Sequence, residues 1–418
     1  MLLLVLLAIL LGLPLCLILY RTYEGTVIYN RAVKAFGKKN VVYLNYSYLT
    51  SNAFLKKNAC GSDCMSLYTR ELVKNPDMKI IVVSVLQITS YLVCDLEMVR
   101  KISHEYVRDV EKRLNMVFVD ELVKGLIFAE GSNWKKSRGI ISGLFHFEML
   151  KNREGIMHEV VDRFTRDLDE RKEVNLFKLG CTIGGEVVVE SLFGKDFTEV
   201  RFGKNTPLEE IQLLITELLA ETFSPAFIFR SVVFGRLMFS SKFLIPSQTR
   251  VKERLINLKK MGSEYLQLQK EKLKKGEPIA PFVEVFLNLN DESYYDEVIQ
   301  HLIIFLIAGQ DTTGSLIEMC LYYLAEFPEH QAEILKALEE EPNVHANKTL
   351  NNFIQEVMRI NGPVRCTILR DVVEPFIIDG FEFKKGEVIR QWLGATMINV
   401  KYFDEPMKFN PNRFNRPL

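Results

Sequence analysis

Ala308-Gly309-Gln310-Asp311-Thr312-Thr313 is the stretch whose reading decides the fold, because it interrupts what is otherwise a long apolar helix. From Leu302 to Gly309 no side chain is charged; an acid and two hydroxyls then arrive together, before apolar residues resume at Leu316. Glycine weakens a helix interior, and a desolvated carboxylate is costly there. Steps of three and four put Leu302, Phe305, Gly309, Thr312 and Leu316 on one inward-packing stripe. Gly309, one turn before Thr312, would leave a notch where a flat ligand approaches the backbone. Asp311 beside the Thr312 hydroxyl is a candidate proton relay. The plainer reading is that Thr312 bonds back to the carbonyl four residues earlier and Asp311 pairs with a base elsewhere.

Working outward, Ser293 and Asp296 have the spacing of a capping box that opens this helix, and Pro328 begins the next one. The helix between them is expected to be about 50 Å long. A further helix covers Thr349 to Ile360, where Glu356 and Arg359 are spaced to pair side by side, as solvated helical pairs also are. Lys79 to Cys94 is rich in β-branched residues and reads as two short strands, followed by a helix capped by Asp95. From there to about residue 275 the pattern is nearly all helical, and Lys274-Lys275-Gly276-Glu277-Pro278 closes one helix. Beyond Gly362-Pro363 come short β segments, with Asp379-Gly380 as a turn signal, and a Pro/Asn/Arg-rich tail containing Arg413. Trp134 and Arg138 lie one turn apart, either stacked on each other or presenting an indole N–H and a guanidinium to one anion.

The 418 residues, 48% hydrophobic, can bury a sizeable core, and 53 basic against 53 acidic residues give no general attraction to nucleic acid. Met1 to Tyr20 carries no charge and is mostly leucine, which reads as an uncleaved transmembrane signal-anchor over residues 1–20. Arg21, Arg31, Lys34, Lys38 and Lys39 follow it, favouring a cytosolic main body. Residues 21–78 read as linker and N-terminal segment, and 79–418 as one catalytic domain. Seven scattered cysteines suit a reducing compartment; Cys60 and Cys64 have a tolerable metal spacing without a second pair nearby.

In order along the chain, these pieces resemble the cytochrome P-450 family, the haem-thiolate monooxygenases. Gly125 to Gly131 leading to Trp134-Lys135-Lys136-Ser137-Arg138 and Phe145-His146-Phe147 is similar to the family's C-helix region. Ala308 to Thr313 matches its oxygen-activating I-helix motif, Glu356-Val357-Met358-Arg359 its E-x-x-R, and Phe409 to Phe414 its F-x-P-x-R-F segment. Arg370, Gly380 and Lys385-Gly386 fit the strands between. The resemblance covers roughly residues 80 to 418 and implies a mainly α fold with small β regions.

The resemblance further implies that Thr312 hydrogen-bonds dioxygen or its water and that Asp311 feeds protons for O–O cleavage. It implies that Trp134, Arg138 and Arg370 bind the propionates of a haem (iron protoporphyrin IX) lying against Ala308 and Gly309. Glu356, Arg359 and Arg413 would form a structural charge network. Substrate contacts would come from residues 105–125, 205–245 and the helix stripe, suiting a lipophilic fatty acid, sterol or xenobiotic. The partners implied are O2 and an NADPH-dependent reductase, at the endoplasmic reticulum membrane. The sequence departs from the family at Gly139, where a second base is common, and at Asn412, where an acid is usual. The family's ligand cysteine lies in an F-x-x-G-x-R-x-C-x-G loop after the P-x-R-F segment, a pattern absent from these residues. The expectation is a P-450 fold without its haem-ligand loop and last helix, hence no metal ligand, with Cys320 and Cys366 poor substitutes. The alternative is a non-catalytic relative that binds apolar ligands or partners without haem.

Overall fold

The structure is a computed structural model that describes residues 2–45, 65–85, 88–112, 125–146, 149, 151–166, 168, 173–222, 246–289 and 294–415. It divides into two compact units that interleave along the chain: 1–115, 220–244 and 364–410 form the first, and 116–219, 245–363 and 411–418 the second. The domain boundaries read from the sequence had no such interleaving.

The first unit is built on a mixed six-stranded sheet. Helix α1 (Leu2–Phe36) continues well past residue 20, and Ile28 and Ala32 near its end are buried. Residues 21–36, read as linker, are therefore helical and partly core. Strands β1 (Val41–Asn45), β2 (Ile80–Val85) and β3 (Ile88–Val93) follow, with α2 (Met65–Lys74) between the first two. The β-branched run expected to make two strands makes β2 and β3, paired antiparallel from Ile80↔Val93 to Val85↔Ile88. Alternation sends Ile80 and Val82 to one face with Tyr91 and Phe383, and Ile81 and Val83 to the other with Leu92 and Trp392. Both faces are covered, which is why the strands read as a continuous apolar run.

Asp95 caps α3 (Leu96–His104) by accepting from the Met98 N–H, as its position predicts. Strands β4 (Val110–Lys112), β5 (Arg370–Val372) and β8 (Val388–Gln391) complete the sheet, in the order β1-β2-β3-β8-β5-β4. Between them β6 (Phe376–Ile378) and β7 (Phe381–Phe383) form a hairpin. Asp379 and Gly380 both have positive φ there, the two-residue turn their sequence signals.

The second unit is helical: α4 (Gly131–Ser142), α5 (Glu154–Thr165), α6 (Leu176–Val188), α7 (Pro246–Lys274), α8 (Pro281–Leu287), α9 (Tyr295–Glu326), α10 (Pro328–Glu340) and α11 (Lys348–Asn361). Helix α7 ends at Lys274, and Pro328 starts α10 at its first turn, as expected. Helix α9 is the long central helix; Val298 to Ile304 and Leu306 are buried, so its first half is core. Of the expected capping box, Ser293 lies outside the described residues, Tyr294 directly precedes the first turn, and Asp296 accepts from Gln300 Nε2 at 2.8 Å.

Candidate active site

Helix α9 is positioned by its crossing with α6. A Cβ added to Gly314 would lie 2.5 Å from Cys181 N, one on Gly180 2.5 Å from Gly314 O, and one on Gly184 3.0 Å from Thr313 Cβ. Small residues on both helices let the two backbones nearly touch. This corrects the reading of Gly309. The space its Cβ would fill is held by Val188 Cγ2 at 2.4 Å, so the notch serves α6 and is closed to a ligand. The signal for the crossing is Gly180, Gly184 and Gly185 in one helical pattern, outside every motif that carries the family resemblance.

With Gly309, Thr313 and Gly314 turned to α6, Ala308 and Thr312 lie on the other side of α9, both only partly buried. Thr312 Oγ1 donates to Ala308 O at 2.7 Å, the back-bond allowed for in the plainer reading. Its hydroxyl hydrogen is thus directed into the helix, and its lone pairs are what it offers outward. Asp311 pairs with no base among the described residues, and burial holds its carboxyl above the usual range. Its charge also helps to push the Cys181 thiol up to about 11, after burial itself.

A raised carboxyl pKa means the folded chain binds a proton that the unfolded chain releases, so Asp311 costs stability above the ordinary carboxylate range. Asp311→Asn should therefore raise the urea midpoint at neutral pH, and the gain should vanish below about pH 4. An equal gain at both pH values would show that the carboxylate is not strained by desolvation.

Glu356, Arg359 and Arg413 are brought together. Arg359 Nε and Nη2 bind Glu356 Oε2 and Oε1 at 2.7 and 2.9 Å, a two-pronged pair made possible by the i, i+3 spacing. Arg413 Nε joins Glu356 Oε1 at 3.1 Å, and the Glu356 side chain is 0% exposed. The arrangement is a buried triad, not a solvated pair.

Trp134 and Arg138 lie on one face of α4, both exposed, Trp134 by 42%. They make no cation–π pair, and Arg138 has no hydrogen bond or ion pair among the described residues. The stacked alternative is thus not the one formed. Arg370 opens β5 in the first unit, opposite Ile389 and Lys112. Of the cysteines, Cys60 and Cys64 lie outside the described residues, as do Phe147 and all of 113–124 and 223–245, which make up much of the stretches 105–125 and 205–245 where substrate contacts were expected. Burial pushes the Cys320 thiol up to about 11 and Cys181 is shut into the helix crossing. No cluster of three metal-ligating side chains occurs among the described residues.

This geometry can be compared with known proteins. A family model, Cytochrome P450, matches residues 54–417. Cytochrome P450 4d2 of Drosophila melanogaster is 25% identical over 331 residues, covering 70% of this chain and 63% of the relative. Cytochrome P450 3A13 of Mus musculus is 25% identical over 325 residues, covering 71% and 61%. Tabersonine 16-hydroxylase 2 of Catharanthus roseus is 26% identical, covering 68% and 58%. Among solved structures, retinoic acid-bound cyanobacterial CYP120A1 superposes with a TM-score of 0.65 at 16% identity, over 81% of this chain and 74% of that one. The alignments span at most about three fifths of these relatives' length. A mainly helical fold with small sheets and a match across most of the chain define the class: the chain belongs to the cytochrome P450 family.

Proposed function

We propose that the chain is part of a membrane-anchored monooxygenase that hydroxylates a lipophilic small molecule with O2 and electrons from an NADPH-dependent reductase. One observation carries the reading: Asp311, a half-buried acid that holds its proton unusually well, adjoins the outward lone pairs of Thr312 on a helix side left free by the α6 crossing. Such an acid holds a proton to higher pH than an ordinary carboxyl and can hand it on. Arg138, without a partner among the described residues, fits with Trp134 the carboxylates of a haem, and Ala308 fits a flat face beside Thr312. Arg370, on β5 of the first unit, is proposed to bind a haem carboxylate. Haem, when bound, supplies electron-transfer and dioxygen chemistry.

Three of the described cysteines do not fit the axial thiolate: Cys181 and Cys320 are held as thiols, and Cys94 is buried in an apolar cluster. No step through iron is therefore derived from them. The Glu356–Arg359–Arg413 triad is proposed to hold the tail segment in place. The exposed Leu15, Leu19 and Tyr20 of α1 support the membrane anchor, at the endoplasmic reticulum with the main body cytosolic. A second reading is a haem-free relative that binds apolar ligands.

The test is NADPH-driven oxidation of a fatty acid by the protein expressed from its own gene, with reductase. Product is expected, and Thr312→Ala should release peroxide at the expense of product while substrate still binds. Absence of both oxidation and a thiolate-type band in the CO-bound reduced spectrum would leave only the second reading.

A further inference from the structure

His301, on the buried half of α9, is 0% exposed and has both ring nitrogens engaged. Leu126 N lies 3.0 Å from Nδ1. A backbone N–H can only donate, so Nδ1 must present a lone pair and the ring proton must sit on Nε2. Nε2 faces Glu297 Oε1 at 3.2 Å, one turn back on the same helix. That carboxylate oxygen also accepts from Ser137 Oγ on α4. The chain entering α4 is pressed onto α9 as well: a Cβ on Gly125 would lie 1.9 Å from Ile304 Cδ1 and 3.2 Å from Gln300 O. Two adjacent turns of α9 thus hold the segment leading into α4, through His301 at Leu126, and the middle of α4, through Glu297 at Ser137.

From these contacts we propose that Glu297 and His301 form a proton-controlled clamp that positions α4, closed while the imidazole is neutral with its hydrogen on Nε2. A second proton could go only onto Nδ1, where it would meet the Leu126 N–H donor to donor and break that bond. The groups facing His301 offer one charge among the described residues. Helix α8 contributes the Phe286 ring, 5.7 Å between centroids; α4 contributes the neutral Ser137; Glu297 is the sole ion. Lys136 sits over the Tyr294 ring, and Asp296 is taken by Gln300. Burial holds the imidazole below its ordinary value, against the opposing pull of Glu297.

The sign follows from that depression. The unfolded chain takes the proton first, at about pH 6.5, so the clamp's contribution is complete above that pH and drains away as pH falls below it. If α4 carries the haem-carboxylate residues Trp134 and Arg138, the clamp sets them relative to Asp311 and Thr312 on the same α9. That consequence rests on the proposed function; the clamp does not.

Hydrogen exchange of the segment 125–130 in the haem-free chain tests the clamp without reference to activity. Corrected for intrinsic rates, exchange of the Leu126 amide should be about five- to tenfold faster near pH 5.5 than near pH 7.5, the factor one net hydrogen bond supplies. In His301→Gln the amide oxygen can accept from Leu126 and the amide nitrogen donate to Glu297, with nothing to titrate, so protection should be pH-independent. Glu297→Gln should move the wild-type transition to lower pH. Constant protection in the wild type, an acid loss that persists in the glutamine variant, or an unmoved midpoint in Glu297→Gln would each overturn the proposal.

Discussion

Glu356→Ala should cost about 3–5 kcal/mol of unfolding free energy, because it leaves the Arg359 and Arg413 guanidinium groups without their carboxylate. Arg359 is bound through two nitrogens and has a side chain only 2% exposed, so water cannot replace the lost oxygens in place. Arg413 is 11% exposed and bound through Nε, so it can turn outward at lower cost. Arg413→Ala should therefore be the milder change, and Glu356→Ala combined with Arg359→Leu milder than Glu356→Ala alone. Urea unfolding followed by far-ultraviolet circular dichroism reads all three. A loss below about 1 kcal/mol for Glu356→Ala, the range of exposed pairs, would mean the triad is solvated.

Gly314→Val carries the second large effect. Even the first carbon of the new side chain would lie 2.5 Å from Cys181 N and 2.7 Å from Cys181 Cα, so backbone would have to move. Overpacking of that kind costs about 1–3 kcal/mol and occasionally more, and the backbone neighbours put this site at the upper end. Gly139, inside α4, has nothing within 4 Å of a built Cβ. Gly139→Ala should instead stabilise by about 0.5–1 kcal/mol, since only helix propensity changes. Opposite signs for two helical glycines are the check; a neutral Gly314→Val would mean that α6 and α9 do not cross closely. Because α9 carries Asp311 and Thr312, separating the helices should also disturb the pair.

Local chemistry was legible wherever a rule operates within a few residues. The Asp95 cap, Pro328 at a helix start, the end of α7 at Lys274 and the Asp379-Gly380 turn each need only their neighbours. The Glu356–Arg359 pair follows from one turn of helix, and the back-bond of Thr312 was among the readings its position allows. Glycine was harder, because its sequence signal is the same whether a ligand or another helix fills the gap. Gly309 was assigned to the first and belongs to the second. The bonds of Ser137 to Glu297 and Leu126 to His301 span 160 and 175 residues, and no periodicity reports a contact of that separation.

The sequence by itself determined the family, the helical class and the order of the motifs, since these rest on residue types at short fixed spacings. The tertiary structure decided which side of each helix faces which neighbour. It gave Gly309 to α6, left Ala308 and Thr312 on the other side, left Asp311 without a base among the described residues, buried Glu356 with two arginines, and fixed the tautomer of His301. The physical reason is that a helix presents all its faces in the sequence with equal weight. Only the packing of other elements removes water from some faces and not others, and desolvation is what makes a charge costly, a carboxyl hold its proton or a hydrogen bond obligatory.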